Sequence, residues 1–115
     1  VDNQFYWYIR PQETGNKTDV RWLALLNSEG EGVKITGLQP IAFSALHFSP
    51  EDLDPGLTRK LQHTIDIVPQ KNIFLHVDLK QRGLGGDNSW GMYPHNKYRL
   101  LDKKYVYSYM IELID

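Results

Sequence analysis

Residues 20–36 carry the pattern that decides the fold, and they read Val20-Arg21-Trp22-Leu23-Ala24-Leu25-Leu26-Asn27-Ser28-Glu29-Gly30-Glu31-Gly32-Val33-Lys34-Ile35-Thr36. An apolar run precedes the polar, glycine-containing residues 27–32, and Val33 and Ile35 then alternate with polar residues. Two such runs joined by a short glycine-containing loop predict a β-hairpin. Apolar residues on both faces of residues 20–26 predict a central strand, and the alternation after the loop predicts a half-buried one.

Period-two patterns continue along most of the chain. They occupy residues 4–10, 40–48, 73–80 and 105–113, and a further strand is predicted over 61–67. A short turn is expected ahead of Pro40. The one helical signal is Ser49-Pro50-Glu51-Asp52-Leu53, in which a serine cap precedes proline and two acids. Seven or eight short strands joined by polar turns predict an all-β fold, an antiparallel β-sandwich.

Size and composition exclude several classes of protein. A length of 115 residues fits one domain, residues 1–115. Thirteen basic and fourteen acidic side chains give a formal net charge of −1, so there is no electrostatic case for nucleic acid or an anionic membrane as a partner. No run approaches the roughly 18 apolar residues of a membrane span.

The lack of cysteine excludes disulfides, thiol nucleophiles and zinc–thiolate sites. The chain starts at Val1 without a signal-peptide pattern, so we expect a piece of a longer protein whose compartment the sequence leaves open.

The stretch most informative for function reads Arg82-Gly83-Leu84-Gly85-Gly86-Asp87-Asn88-Ser89-Trp90-Gly91. Glycines permit tight and left-handed backbone conformations, and the residues predicted to form this loop are Gly83, Gly85 and Gly86. Polar side chains beside an indole suit a sugar, because hydroxyls need donors and acceptors while the C–H face of the ring needs a flat apolar surface. The candidate substrate-binding residues are therefore Trp90, Asp87 and Asn88. In the alternative interpretation, Trp90 fills the end of the sandwich and Asp87 caps the turn.

Other kinds of site have weaker support. None of the four histidines (His47, His63, His76 and His95) stands two or four residues from another, so no local metal-ligand pair is predicted. A Gly-x-Ser-x-Gly nucleophile motif is absent. The charged residues of the polar loop before residue 22 would form either a network or solvated, weak salt bridges, and they are Arg10, Glu13, Asp19 and Arg21.

Three longer segments carry a family resemblance. They are Tyr8-Ile9-Arg10-Pro11-Gln12-Glu13-Thr14-Gly15-Asn16-Lys17-Thr18-Asp19-Val20-Arg21-Trp22, Phe43-Ser44-Ala45-Leu46-His47-Phe48-Ser49-Pro50-Glu51-Asp52-Leu53 and Asp78-Leu79-Lys80-Gln81-Arg82-Gly83-Leu84-Gly85-Gly86-Asp87-Asn88-Ser89-Trp90-Gly91. Their order and spacing resemble bacterial β-galactosidases of glycoside hydrolase family 2, in the last part of the C-terminal, small-chain domain. Thr14, Lys17 and Arg82 depart from the family's usual asparagine, arginine and methionine.

The resemblance implies both a fold and a division of roles. The small-chain domain resembles galactose mutarotase, a large antiparallel supersandwich of which this chain would be roughly the second half. Retaining glycosidases need two carboxylates about 5 Å apart, and in this family both glutamates and the Mg²⁺ ligands lie in a preceding (β/α)₈ barrel. The resemblance therefore implies no catalytic residue, metal ligand or cofactor in this chain. It implies instead that Trp90 stacks on the incoming sugar, on a loop held by its glycine and polar neighbours Gly85, Gly86, Asp87 and Asn88.

Three functional interpretations follow. The first is the non-catalytic C-terminal domain of a β-galactosidase, an enzyme that hydrolyses terminal β-D-galactose residues from β-galactosides such as lactose. Its expected partners are a galactoside, the rest of the β-galactosidase chain and further copies of the full-length enzyme. The second is a free-standing carbohydrate-binding module, and the third is a domain-assembly module. An upstream barrel separates the first from the second, and a response of tryptophan fluorescence to galactose or lactose separates the third.

Overall fold

A computed structural model describes residues 1–7, 14–54, 56, 63–88 and 90–115. These residues form the strands and helix β1 (Lys17–Leu26), β2 (Gly32–Leu46), α1 (Pro50–Leu53), β3 (Phe74–Asp78) and β4 (Tyr109–Ile114). Single turns of 3₁₀ helix cover Asp2–Gln4, Thr64–Asp66 and Asn96–Tyr98. The four strands form one sheet in which β2 and β4 are antiparallel, so the predicted all-β class is confirmed. The sandwich arrangement, the likeness to galactose mutarotase and the single domain stay predictions.

The β1–β2 hairpin forms where the sequence predicts it. The backbone N–H of Asn27 donates to the carbonyl of Glu31 at 2.8 Å. The side-chain Oδ1 of Asn27 accepts from the N–H groups of Glu29 and Glu31 at 2.9 and 3.0 Å. Gly30 has a φ of +90°, a conformation that glycine adopts without the clash of a Cβ atom. The loop is therefore closed by bonds among its own residues, which is why a local pattern was enough to predict it.

The central strand of the sheet is β2. The strand order is β1-β2-β3, and β4 also pairs with β2, from Gly32 opposite Ile114 to Gly37 opposite Tyr109. The prediction that residues 20–26 form a central strand is therefore wrong for the sheet formed by the described residues. Not all apolar side chains of β1 are buried, since Trp22 and Leu26 are exposed.

The turn predicted ahead of Pro40 is also wrong, because β2 runs through this region as one strand. The N–H of Leu38 and the side-chain amide of Gln39 both donate to the carbonyl of Ser108, each at 3.1 Å, and Gln39 Oε1 accepts from the N–H of Ser108 at 3.2 Å. A Cβ atom on Gly37 would lie 2.3 Å from the carbonyl oxygen of Gln39. Beyond the last paired residues, Gly37 and Tyr109, these bonds to Ser108 continue the pairing, and the side chain of Gln39 takes part in it.

The chain divides into two compact units, Val1–Lys17 with Ala42–Val77, and Thr18–Ile41 with Asp78–Asp115. The core of the first unit consists of Leu46, Phe48, Leu53 and Ile67, with Phe5 packed against it. The rings of Phe5 and Phe48 lie 4.4 Å apart between their centroids. These contacts attach the N-terminal residues to α1 and the end of β2 by apolar burial.

The helix α1 begins where the sequence predicts it, because Ser49 and Asp52 cap each other. Ser49 Oγ accepts from the N–H of Asp52 at 3.2 Å, and Asp52 Oδ2 accepts from the N–H of Ser49 at 2.7 Å. The side-chain amide of Gln70 also donates to Asp52 Oδ2. Burial acts to raise the pKa of Asp52, but the hydrogen bonds from Ser49 and Gln70 outweigh it and hold this pKa below its ordinary value.

The second unit buries Leu23, Ile35 and Ile41 but leaves β4 open to solvent. Five of the six residues of β4 are exposed, and Leu113 is 80% exposed. Apolar residues on an exposed strand are typical of a surface that another part of a protein covers.

Two predicted strands are wrong in the residues that the structure describes. Residues 4–10 were expected to be extended, but Asp2–Gln4 forms a 3₁₀ turn, with the N–H of Gln4 donating to the carbonyl of Val1 at 2.8 Å. Residues 8–10 lie outside the described residues.

Within 61–67, Thr64–Asp66 is a 3₁₀ turn, and the N–H of His63 donates to Asp66 Oδ2 at 2.8 Å. In both segments a local turn competes successfully with the alternating pattern. The strands over 73–80 and 105–113 form with shorter or shifted bounds, as β3 and β4.

Candidate functional site

The candidate sugar-binding residues lie on a closed loop that we call the Trp90 loop, residues 83–98. Its first arm is residues 83–87, its tip residues 88–91 and its second arm residues 92–98. The base is closed by the backbone, because the N–H of Gly83 donates to the carbonyl of Tyr98 at 2.7 Å. A Cβ atom on Gly83 would lie 2.7 Å from the Cβ of Tyr98. The two arms are therefore too close here for any residue with a Cβ atom at position 83.

The arms stay close together toward the tip. A Cβ atom on Gly86 would lie 2.5 Å from the carbonyl oxygen of Met92 and 2.8 Å from that of Tyr93. Gly85 and Gly91 have φ values of +76° and +124°, in the left-handed region that other residues avoid. The glycines of the predicted set thus meet two geometric demands of the loop: close approach of the arms at Gly83 and Gly86, and a left-handed backbone conformation at Gly85.

The tip presents Trp90 to solvent. Its side chain is 87% exposed, so Trp90 does not fill the core formed by the described residues. The backbone N–H of Trp90 donates to Asn88 Oδ1 at 2.9 Å, which makes Asn88, and not Asp87, the residue that caps the tip. Ser89 lies outside the described residues. An exposed indole on a loop with a fixed base has the form of a contact surface for a flat ligand.

Asp87 pairs with His95, a residue for which the sequence predicts no part in the loop. His95 Nε2 lies 2.7 Å from Asp87 Oδ1, and both side chains are exposed, at 60% and 70%. The pair joins the end of the first arm to the second arm. The partners are eight positions apart, which in a helix or a strand would separate them by about 12 Å or about 26 Å, so the loop conformation brings them together. A histidine eight positions after the aspartate was the only available signal.

The second arm is held by its own contacts. The N–H of Tyr98 donates to the carbonyl of His95 at 2.8 Å, and the N–H of Arg99 donates to that of Asn96 at 3.1 Å. The Arg99 guanidinium lies 4.8 Å from the centre of the Tyr93 ring, a cation–π distance. His95 is therefore presented to Asp87 from a turn with defined geometry.

The other candidate sites gain no support. Of the predicted charge network, Arg10 and Glu13 lie outside the described residues. Within the described residues, no group of three or more histidines and acids is placed to hold a metal ion. The expectation that the chain carries no cofactor remains untested. None of the helices described is long and apolar enough to cross a membrane.

Comparison with known proteins gives a consistent result. The family described as Beta galactosidase small chain matches residues 1–111. A beta-galactosidase of Priestia megaterium is 39% identical over 100 residues, which cover 87% of this chain and 9% of that protein. For a beta-galactosidase of Bifidobacterium adolescentis the identity is 36%, over 81% of this chain and 9% of the relative. For one of Streptococcus thermophilus it is 31%, over 97% and 11%.

The chain spans about a tenth of the length of these relatives. The family match takes in all but the last four residues, and so it contains the whole Trp90 loop. On this evidence, the chain belongs to the β-galactosidase small-chain family.

Proposed function

We propose that the chain is part of a β-galactosidase that hydrolyses terminal β-D-galactose residues from β-galactosides such as lactose, and that it contributes the Trp90 loop to the sugar pocket. The family membership and the relatives' names support the first part of the proposal. The observation that supports the second part is the exposure of Trp90 on a loop whose arms are joined at base, middle and outer end.

The chemistry of the tip suits a sugar. The indole face of Trp90 provides a flat apolar surface for the C–H face of a galactose ring. Asn88 Oδ1 accepts from the backbone N–H of Trp90, and Asp87 Oδ1 lies within hydrogen-bond distance of His95 Nε2. We assign the remaining polar atoms of these side chains, Asn88 Nδ2 and Asp87 Oδ2, to sugar hydroxyls. In this proposal Asn88 and Asp87 each use one polar atom to shape the loop and another to contact the sugar.

The catalytic step belongs to another part of the full-length enzyme in this proposal. A retaining mechanism needs an acid/base and a nucleophile about 5 Å apart, and we place both carboxylates, together with the Mg²⁺ site, in the preceding barrel. Trp90 then acts on ground-state binding of the substrate. Its loss should raise KM more than it lowers kcat.

The test is a pair of substitutions in the full-length enzyme, Trp90→Ala and Trp90→Phe. An indole–sugar contact contributes about 1–2 kcal/mol, so Trp90→Ala should raise KM roughly tenfold. Trp90→Phe keeps an aromatic face and should recover part of the affinity. The matched control is Trp22→Ala, which removes another exposed indole, in β1 of the same unit. An unchanged KM for Trp90→Ala, in a protein with unchanged melting temperature, would reject the sugar-contact role.

The exposed strand β4 favours the rest of the β-galactosidase chain as the partner of this one. An apolar strand with five exposed residues is expected to pack against another part of the polypeptide. Hydrogen exchange of the Ile111 and Leu113 amides, compared between the isolated chain and the full-length enzyme, tests this. Equal exchange in both would show that nothing covers β4.

A further inference from the structure

We propose that His95 is a positioning residue for Trp90. In this proposal His95 holds Asp87, and through Asp87 it holds the tip of the loop in the conformation that presents the indole. The proposal deepens the proposed function and rests on it for the consequence in sugar binding. The positioning itself is a property of the loop and is testable without a ligand.

The contact between Asp87 and His95 is the one that most directly controls the tip. The bond between Gly83 and Tyr98 closes the base, and Gly86 packs against the backbone of the second arm. Both involve residues of the first arm that precede Asp87 in the chain. Asp87 is followed at once by Asn88, whose Oδ1 holds the N–H of Trp90. A change in the position of Asp87 is therefore passed to Trp90 within three residues.

His95 has a fixed place from which to hold Asp87. Its carbonyl accepts from the N–H of Tyr98, and the carbonyl of Tyr98 in turn accepts from the N–H of Gly83. These two bonds link the backbone at His95 to the base of the loop. The imidazole Nε2 then reaches Asp87 Oδ1 across the loop at 2.7 Å. The geometry points to a loop in which the base locates His95 and His95 locates the tip.

The exposure of the pair separates positioning from folding. Exposed ion pairs contribute little to the free energy of unfolding, so removing this one should leave the protein folded. The same small interaction, acting on the loop alone, changes the fraction of molecules whose tip is closed. Affinity for a ligand that needs the closed tip falls by that fraction.

The experiment uses the full-length enzyme with His95→Leu and His95→Gln, assayed with a chromogenic β-galactoside. We expect His95→Leu to raise KM about two- to fivefold, with kcat and melting temperature unchanged. Glutamine keeps an N–H donor near the place of Nε2, so His95→Gln should restore KM to near the original value. The matched control is His63→Leu, which removes a second exposed histidine–aspartate pair, with His63 Nδ1 3.5 Å from Asp66 Oδ2, and should leave KM unchanged.

Hydrogen exchange over residues 83–98 of the same full-length proteins, measured without sugar, reads the positioning directly. Faster exchange of the Trp90 amide in His95→Leu, but not in His95→Gln, supports the proposal. Unchanged exchange in His95→Leu overturns it, whatever the kinetics show. Faster exchange with an unchanged KM also overturns it if Trp90→Ala raises KM, because His95 then does not set the indole for the sugar. If Trp90→Ala leaves KM unchanged, the proposed function fails, and the exchange measurement still decides the role of His95.

Discussion

Replacing Gly86 with alanine tests whether sugar binding requires the closed form of the Trp90 loop. The added Cβ atom would lie 2.5 Å from the carbonyl oxygen of Met92 and 2.8 Å from that of Tyr93. Ordinary contacts of a Cβ atom begin at 3.4 Å, so the arms must separate by about 0.9 Å (3.4 − 2.5). Both obstacles are backbone atoms, which have no rotamer to change. The separation must therefore move the arms themselves, and with them Trp90.

The expected effect has an upper limit that the loop itself sets. If Gly86 acts only through Trp90, its substitution cannot cost more affinity than the loss of the whole indole, roughly tenfold in KM. We expect Gly86→Ala to raise KM about two- to threefold, with a smaller change in kcat, since a displacement near 1 Å removes roughly a quarter to a half of a van der Waals contact. The double variant Gly86→Ala with Trp90→Ala should have the KM of Trp90→Ala alone.

The assay is steady-state hydrolysis of a chromogenic β-galactoside by the full-length enzyme, with a melting temperature measured on each preparation. The control is Gly30→Ala in the β1–β2 hairpin, where φ is +90° and the added Cβ atom would meet nothing within 4 Å. That variant should lose about 1 kcal/mol of stability through backbone strain and keep its KM. A folded Gly86→Ala enzyme with an unchanged KM, or a double variant whose effects multiply, would refute the reasoning.

Four further predictions concern other parts of the chain. Ser49→Ala removes a helix cap and should lower the free energy of unfolding by about 1 kcal/mol, measured by urea denaturation at neutral pH. Because the folded pKa of Asp52 is lowered, its contribution to stability is present above the unfolded pKa and disappears as the pH falls through the folded pKa. Asp52→Asn should therefore flatten the loss of unfolding free energy with falling pH, measured by urea titrations below about pH 4. An equal dependence of that free energy on pH in both proteins would contradict the prediction. The isolated chain should show no hydrolysis of a chromogenic galactoside, and turnover that copurifies with the chain would count against this. The isolated chain should also self-associate through β4, and Leu113→Lys should reduce the association seen by light scattering. Monomers at high concentration for both the unsubstituted chain and Leu113→Lys would count against that second expectation.

Features fixed by neighbours in the chain were predictable from the sequence, and features fixed by distant contacts were not. The cap at Ser49 and the hairpin loop at Asn27 form through bonds spanning two to four residues. The single strand β2 was mistaken for two because Gly37 and Pro40 are typical of turns, while the residue that keeps the strand paired, Ser108, lies 69 positions from Gln39. Alternation over residues 4–10 predicted a strand, although the described part begins as a 3₁₀ turn.

The candidate site shows the same division. The glycines predicted a tightly folded loop, but the residue pattern left open whether Trp90 is exposed or fills the end of the sandwich, and the family resemblance favoured exposure. The pairing of His95 with Asp87 was missed, since the two side chains meet across the loop from positions eight apart in the sequence. Asp87 was the alternative candidate for the turn cap, and the residue that caps the turn is its neighbour Asn88. Adjacent polar residues are equivalent in a pattern and become distinct only in three dimensions.

A loop whose base is closed by main-chain atoms can change the identity of its tip without changing its ends. The bond from Gly83 to Tyr98 requires no particular side chain at residues 88–91, so replacements there leave the closure of the base intact. Under the proposed function, sugar preference could then change by substitution at residues 88–91 while the base of the loop stays closed. Randomised libraries confined to the tip should yield folded enzymes with altered acceptor or aglycone preference more often than libraries spread over the two arms.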